Sequence, residues 1–204
     1  MLEAHDLAAC RGEATLFSGI GFSLAPGNAL VISGPNGSGK TTLLRLLAGA
    51  THAAQGTLAW RGAAVHPFDP GLRAEALFIG HVPALKDELT AEENLASLTS
   101  LHGARAEPAA LAAALAVWTL TRQRALPARV LSQGQRRRVG LARLSLVTRT
   151  LWLLDEPATA LDDAGIATLR AVITTHLAGG GIAVIATHQE LGLPAGASQP
   201  LRLT

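Results

Sequence analysis

The residues with the clearest chemical meaning form one glycine-rich segment, residues 34–42. Its pattern is G-x-x-x-x-G-K-[ST], and Gly34, Gly39, Lys40 and Thr41 occupy the defining positions. Glycines let the backbone curl so that successive N–H groups point at one phosphate, and the N-terminus of a following helix adds positive potential there. Lys40 supplies a compact charge for the β- and γ-phosphates of a nucleotide, and the Thr41 hydroxyl can ligate Mg²⁺. The segment is therefore predicted to bind a nucleotide through Gly34, Pro35, Asn36, Gly37, Ser38, Gly39, Lys40, Thr41 and Thr42.

Two acidic residues and a histidine follow two continuous apolar runs, residues 151–154 and 182–186. Such runs are typical of buried parallel strands, whose C-terminal ends meet at the ligand-binding edge of a sheet. Asp155 could hold Mg²⁺ there, directly or through water, and Glu156 could orient or deprotonate an attacking water. Two acids that open a surface loop are the alternative, which the apolar run and the phosphate-binding loop disfavour. His188 could reach the same γ-phosphate, although a lone histidine is more often structural.

The elements that must position these residues alternate between strands and helices. This alternation predicts a parallel α/β sheet. Thr90 and Glu93 form a capping box that opens an all-helical stretch at 89–146, which interrupts the alternation. We interpret this stretch as an inserted helical subdomain bounded near 82–148. Helices are predicted at 43–48, 89–124, 136–146 and 162–177, and strands at 2–7, 21–24, 29–32, 55–62, 76–80, 151–154, 182–186 and 201–203.

The composition indicates one globular domain over residues 1–204, because 49% of the residues are apolar and 16% are charged. The longest uncharged apolar stretch, residues 109–120, is shorter than the roughly 20 residues that cross a membrane. No signal peptide opens the chain and Cys10 is its only cysteine, so we expect a protein of the reducing cytosol. The formal charge of +2 requires no nucleic acid, and we expect no such partner. The basic run at 136–138 is interpreted as solvated helix surface.

Residues 131–135, Leu-Ser-Gln-Gly-Gln, carry a motif that ordinary proteins with a phosphate-binding loop lack. They resemble the L-S-G-G-Q signature of ABC-type ATPases, with Gln133 in place of the third residue. The resemblance covers essentially the full length and implies a P-loop NTPase fold: an ABC-type nucleotide-binding domain with a RecA-like core, a small antiparallel β subdomain and an inserted helical subdomain. Other segments match this family in order: residues 79–82 its Q-loop, 151–156 its Walker B strand, 160–162 its D-loop and His188 its switch histidine.

The resemblance also implies that one chain supplies only half of each active site. In this family two domains associate head to tail, and each ATP lies between the P-loop of one and the signature of the other. Ser132 and the N–H of Gly134, at a helix start, would grip the γ-phosphate of the partner's ATP. The implied assembly is a homodimer or a pair with a similar subunit.

Carried over residue by residue, the resemblance makes Glu156, His188 and Lys40 catalytic. It gives Thr41 and Asp155 as ligands of Mg²⁺. The implied cofactors are therefore ATP and Mg²⁺.

Two positions depart from the family's pattern. His81 stands where the family usually has glutamine; an imidazole can still ligate a metal or hold a water, but its charge depends on pH. Arg11 falls where the family often stacks an aromatic ring on adenine, and the chain has no tyrosine. A guanidinium can stack on a base, with looser base selectivity. His81 is thus a predicted metal ligand, and Arg11 is a predicted nucleotide contact.

One branch of the family is especially similar, the ATP-binding subunits of the haem exporter that serves cytochrome c maturation. The likeness implies a translocase subunit that is peripheral on the cytoplasmic face of the bacterial inner membrane. Its implied partners are the membrane subunits CcmB, CcmC and CcmD, and its ATPase cycle would drive haem export or release of the haem-loaded chaperone CcmE. The helical subdomain and the loop after His81 would form the groove for a membrane subunit. The segments that carry this likeness are residues 1–4, 6–7, 16–19, 80–81, 86–95 and 135–139.

Three other functions stay open. An ABC exporter subunit for another cargo, such as a lipoprotein or a drug, would use the same ATPase chemistry. A soluble ABC ATPase that acts on DNA or ribosomes typically carries long coiled-coil insertions or two fused ATPase domains, for which 204 residues leave no room. A P-loop kinase or GTPase is disfavoured by the signature and by His188.

Overall fold

The computed structural model describes residues 1–194 and 196–204, in which strands alternate with helices. Within these residues, no helix is both long enough and apolar enough to cross a membrane. The strands are β1 (Leu2–Arg11), β2 (Ala14–Leu24), β3 (Ala29–Ser33), β4 (Gln55–Trp60), β5 (Ala63–Ala64), β6 (Ala76–Ile79), β7 (Leu151–Asp155), β8 (Ile182–Ala186) and β9 (Ser198–Arg202). The helices are α1 (Lys40–Leu47), α2 (Pro70–Glu75), α3 (Ala91–Ser100), α4 (Pro108–Val117), α5 (Gln133–Ala142) and α6 (Asp163–Ala178).

The chain divides into two compact units. The first, called the sheet unit, comprises Met1–Phe78, Arg149–Glu156 and Ile173–Thr204. The second, called the helical unit, comprises Ile79–Thr148 and Pro157–Val172. The insertion predicted at 82–148 lies inside the longer segment of the helical unit.

The predicted parallel α/β sheet is confirmed and has the strand order β6-β7-β8-β3-β9. Strand β8 pairs in parallel with β7 and with β3, and β3 pairs in parallel with β9. Every residue of β7 and β8 is buried, because both faces of these central strands are covered, and this explains their continuous apolar runs. The edge strand predicted near the end of the chain is confirmed as β9.

A second, antiparallel sheet has the order β2-β1-β4-β5, in agreement with the small β subdomain that the resemblance implied. The strand lengths predicted there were wrong, because β1 continues to Arg11 and β2 begins already at Ala14. Small and polar residues such as Ser18 and Gly19 weaken the strand signal of β2. Pairing with β1, as at Ala9↔Phe17, holds this stretch in the sheet.

The long helix predicted at 89–124 is divided in two. Its predicted capping box is confirmed, since the N–H of Glu93 donates to the Thr90 hydroxyl at 3.2 Å and the Glu93 carboxylate accepts from the Thr90 N–H at 2.8 Å. Gly103, with φ +74°, follows the end of α3, and Pro108 occupies the start of α4. The Ala- and Leu-rich composition masked both breaks. Helix α2 was not predicted, although Asp69 before a proline is a recognisable helix start.

A half-buried histidine, His176, joins α6 to the beginnings of β7 and β8. The His176 ring stacks on Trp152 with centroids 3.7 Å apart and an interplanar angle of 4°, and its Nε2 lies 3.2 Å from the Ile182 carbonyl. The chain passes so close that a Cβ on Gly181 would overlap the imidazole. Burial lowers the pKa of His176, although hydrogen bonding to the carbonyls of Ile182 and Thr150 favours the charged form.

We expect His176→Phe to reduce the acid sensitivity of folding. Because the folded pKa of His176 lies below its unfolded value, the unfolded chain binds more protons, and the free energy of unfolding falls as the pH drops below about 6.5. A phenyl ring keeps the stack on Trp152 and takes up no proton. Urea denaturation at about pH 7.5 and about pH 5.5 measures the effect, with the exposed His5→Phe as control. Equal losses of stability in wild type and His176→Phe would contradict it.

Candidate active site

The phosphate-binding loop joins β3 to α1 and packs closely at two glycines. Gly34 has φ +145° and Gly39 has φ +93°, conformations that residues with side chains rarely adopt. A Cβ on Gly34 would overlap the Leu203 carbonyl and lie 2.9 Å from the Ser38 hydroxyl, and a Cβ on Gly39 would lie 2.8 Å from the Phe17 ring. The motif glycines therefore also allow the loop to pack against strand β2 and the segment after β9. Of the other loop residues, Pro35, Asn36 and Gly37 are exposed, Ser38 is buried and Thr42 is half-buried.

Lys40 is the first residue of α1, and its side chain bridges the loop to the end of β8. The residue is only 8% exposed. Its Nζ donates to the carbonyls of Gly34 at 2.8 Å and Pro35 at 3.1 Å, and lies 3.0 Å from Nε2 of His188. An ammonium group can only donate, so Nε2 of His188 is the acceptor in this contact. The lysine charge thus lies where the motif predicts phosphate binding.

Thr41 and Asp155 form the pair that was predicted to hold Mg²⁺. The Thr41 hydroxyl donates to the Asp155 carboxylate at 2.8 Å, and Asp155 is 3% exposed at the end of β7. A hydroxyl and a carboxylate are hard oxygen ligands, and Mg²⁺ is typically bound by one or two such groups together with phosphates and waters. In the described part of the chain, no three His, Cys, Asp or Glu side chains form a metal cage. The pair fits a magnesium ion that arrives with a nucleotide.

Glu156 and His188 follow neighbouring strands and meet at the same edge of the sheet. The Glu156 carboxylate lies 3.4 Å from Nε2 of His188, and its backbone N–H donates to the Ala186 carbonyl at 2.8 Å. Glu156 has φ +47°, a strained conformation for a residue other than glycine and one that is frequent at functional sites. Five predicted residues are thus in contact: Lys40 with His188, His188 with Glu156, and Thr41 with Asp155.

Arg11 is exposed at the end of the β1–β2 hairpin, opposite Ala14. Two residues earlier, Ala9 pairs with Phe17, whose ring contacts Gly39 of the phosphate-binding loop. Arg11 therefore lies about 7 Å along the strand from this contact. Its role as a nucleotide contact stays a prediction.

The signature residues lie at the beginning of α5 in the helical unit. Ser132 is the exposed N-cap, and its hydroxyl accepts from the Gln135 N–H at 3.3 Å while the Gln135 side chain accepts from the Ser132 N–H at 2.9 Å. Gly134 lies in the first helical turn, where backbone N–H groups have no preceding carbonyl to bind. A Cβ on Gly134 would lie 2.6 Å from the Ala160 carbonyl. This helix start can bind an anion, and the predicted roles of Ser132 and Gly134 stay predictions.

The interpretation of the basic run at 136–138 as solvated surface is wrong for Arg137, which is 3% exposed. Its guanidinium donates to the carbonyls of Gly80 at 2.8 Å, His81 at 3.0 Å and Pro157 at 3.1 Å. Three successive positions fan around a helix, so one of them points inward. His81 itself is exposed, and its predicted role as a metal ligand stays a prediction.

Sequence reasoning missed the residues that support the site from a distance. Phe17 and Leu203 fix the glycines of the phosphate-binding loop, and Arg138 binds Asp162, 24 residues further along the chain. Each pair is far apart in sequence, so no local pattern joins its members. The only available signal was the arginine run itself, whose function could not be read without the helix that carries it.

Comparison with known proteins defines the class. Residues 17–159 match the family model described as ABC transporter. Among curated proteins, the chain is 49% identical over 191 residues to cytochrome c biogenesis ATP-binding export protein CcmA 2 of Cupriavidus metallidurans, covering 94% of this chain and 90% of that protein. It is 43% identical over 203 residues to the CcmA protein of Nitrosospira multiformis, covering 100% of this chain and 98% of that protein. The chain therefore belongs to the ABC transporter family of ATP-binding proteins, and within that family to the CcmA group.

Solved structures share this fold at low sequence identity. A putative ABC transporter ATP-binding protein from Pyrococcus furiosus aligns with a TM-score of 0.84 and 24% identity, over 99% of this chain and 96% of that one. An ATP-binding cassette described as a dimer bound to ADP and Pi aligns with a TM-score of 0.75 and 22% identity, over 93% of this chain and 88% of that one. As a member of its family, this chain binds ATP and couples ATP hydrolysis to transport.

We expect Gly39→Ala to destabilise the protein more than Gly37→Ala. Both glycines have a positive φ, +93° and +87°, so both substitutions strain the backbone, but only the methyl group at position 39 meets the Phe17 ring. Overpacking of this kind costs about 1–3 kcal/mol. The difference between the free energies of unfolding of the two variants, measured in urea, isolates this contact. Equal destabilisation would show that Phe17 does not fix the loop.

Proposed function

We propose that this chain is the ATP-hydrolysing subunit of an ABC membrane complex for cytochrome c maturation. Its hydrolysis cycle drives haem export or release of haem-loaded CcmE, as in a haem-transporting translocase. The observation that carries the catalytic part is the set of contacts Lys40–His188–Glu156 beside the Thr41–Asp155 pair. The 49% identity to a protein named for cytochrome c biogenesis supports the assignment to this process.

ATP binding begins at the phosphate-binding loop. The N–H groups of the loop and the N-terminus of α1 bind phosphate oxygens, and Lys40 exchanges its loop carbonyls for the β- and γ-phosphates. Because Lys40 also lies 3.0 Å from His188, this exchange frees Nε2 of the histidine. Thr41 and Asp155 would hold Mg²⁺, which when bound offsets the charge of the phosphates.

Hydrolysis relies on Glu156 and His188. The Glu156 carboxylate orients the attacking water and accepts its proton. His188, which lies 3.4 Å from this carboxylate, is close enough to connect Glu156 with the γ-phosphate once Lys40 has left its Nε2. With a proton on Nε2, the imidazole then donates a hydrogen bond to the γ-phosphate and so helps to stabilise the charge that develops during phosphoryl transfer.

A second copy of the chain completes each site. The exposed Ser132 and the half-buried Gly134 lie at a helix start whose N–H groups suit the γ-phosphate held by the other copy. A protein of the same fold is described as a dimer bound to ADP and Pi, which is consistent with this arrangement. ATP then favours the closed pair, and loss of the γ-phosphate favours opening.

The resemblance to ABC-type ATPases, and to the CcmA group among them, supports the remaining parts of the proposal. Residues 1–204 form one ABC-type domain with its helical subdomain near 82–148. That subdomain and the loop after His81 form the groove for a membrane subunit. His81 takes the metal-ligating place of glutamine, and Arg11 stacks on adenine. The partners are CcmB, CcmC and CcmD at the cytoplasmic face of the bacterial inner membrane, with CcmE as the functional target and no nucleic acid.

We expect Glu156→Gln to leave ATP binding intact and to slow hydrolysis by about two to four orders of magnitude, because an amide cannot accept the proton of the attacking water. Phosphate release and binding of trinitrophenyl-ATP measure the two effects separately. Glu107→Gln, an exposed position at the start of α4, controls for the loss of one negative charge. Hydrolysis at the wild-type rate by Glu156→Gln would exclude Glu156 as the base.

The assignment to cytochrome c maturation is tested in the native host. After deletion of this gene and of any close relatives there, we expect c-type cytochromes to disappear from haem-stained membrane extracts. Plasmid copies of the wild type and of Glu107→Gln should restore them, and Glu156→Gln should not. Normal c-type cytochromes in the deletion strain would contradict this process while leaving the ATPase assignment intact.

A further inference from the structure

Helix α5 contacts the segment 160–162 at two points. Gly134 and Arg138 are four residues apart on α5 and therefore lie on the same face of the helix. Gly134 faces the Ala160 carbonyl, which would be 2.6 Å from a Cβ at this position. Arg138 binds the carboxylate of Asp162. Two residues one helical turn apart on α5 thus contact two positions of the segment 160–162.

The guanidinium of Arg138 connects three parts of the helical unit. One Nη donates to the Thr119 hydroxyl at 2.8 Å, in the turn after α4, and the other donates to Oδ1 of Asp162. The same Oδ1 accepts the Gly165 N–H at 2.8 Å and so caps the first turn of α6. These hydrogen bonds from Gly165 and Arg138 lower the pKa of Asp162, which stays ionised. The Arg138–Asp162 contact therefore fixes the end of the segment 160–162 that leads into α6.

The loop conformation depends on external support. Ala160 has φ +63°, which is unfavourable for a residue other than glycine, and it is the residue whose carbonyl faces Gly134. The Arg138–Asp162 pair contributes little to folding stability, because the Asp162 side chain is 65% exposed. The pair is therefore better explained by the position it gives the loop than by stability.

We infer that Arg138 is a positioning residue that holds the segment 160–162 and the signature turn at Ser132–Gly134 as one rigid surface. This surface meets the nucleotide held by the partner copy, so the inference rests on the shared site under the proposed function. Without Arg138 the chain still binds ATP at its own phosphate-binding loop but presents a misplaced signature to the other copy. Lysine restores part of the function at most, because a single ammonium cannot reproduce the two diverging Nη contacts.

The test uses purified full chains that carry one substitution each. We expect Arg138→Met to lower the ATPase kcat by at least about tenfold, to leave trinitrophenyl-ATP affinity within about twofold of wild type, and to keep the urea midpoint. Arg105→Met, in the exposed segment between α3 and α4, should behave as wild type. A lower midpoint together with weaker nucleotide binding would identify a structural role and overturn the inference.

Mixing experiments then assign the defect to one side of the shared site. A Lys40→Ala copy has a defective phosphate-binding loop and an intact signature, so it should restore ATPase activity when mixed with Arg138→Met, severalfold above either variant alone. Ser132→Arg mixed with Lys40→Ala is the reference pair, because Ser132 belongs to the signature itself. If the reference pair recovers and the Arg138→Met mixture does not, the role of Arg138 is wrong. If neither recovers, the shared site is wrong, and the inference falls with it.

Discussion

The hydrogen bonding of the Lys40 ammonium is the interaction on which the candidate site depends. A charge that is 8% exposed must be paired or fully hydrogen-bonded, and here two loop carbonyls and the His188 imidazole surround it. Parallel pairing of β3 with β8 makes this possible, because the register Ile32↔Ala186 ends both strands at the same height. The loop after one strand and the histidine after the other are thereby brought to one point.

The sequence was most informative where burial leaves a strong pattern. Strands β7 and β8 are buried at every position, so their apolar runs were readable, and the residues that follow them could be placed at the sheet edge. The β1–β2 hairpin was read too short, because small and polar residues depend on cross-strand pairing to stay in the sheet. Arg137 was misread for a related reason: its partners are backbone carbonyls of distant segments, which have no sequence signal.

The contacts within the site likewise join residues that are far apart in sequence and could not be read from local patterns. The motif positions of Lys40, Thr41 and Asp155 followed from spacing and from the strand ends. Their actual contacts, such as Thr41 with Asp155 across 114 residues, needed the folded chain. The two predicted anion-binding regions share one physical device, a helix start whose first N–H groups have no preceding carbonyl to bind, at α1 in the sheet unit and at α5 in the helical unit. Lys40, which is buried, is the first residue of α1, and Ser132 caps the start of α5.

The packing of Phe17 against Gly39 has a consequence for which nucleotides fit. The hairpin that ends at Arg11 and the loop that binds phosphate are parts of one unit, joined by a contact that leaves no room for an added methyl group. This contact therefore limits how far the distance between the hairpin and the loop can change. With Arg11 as the proposed base contact, which would tolerate different bases, the distance between base and terminal phosphate would select the bound nucleotide more than the identity of the base would.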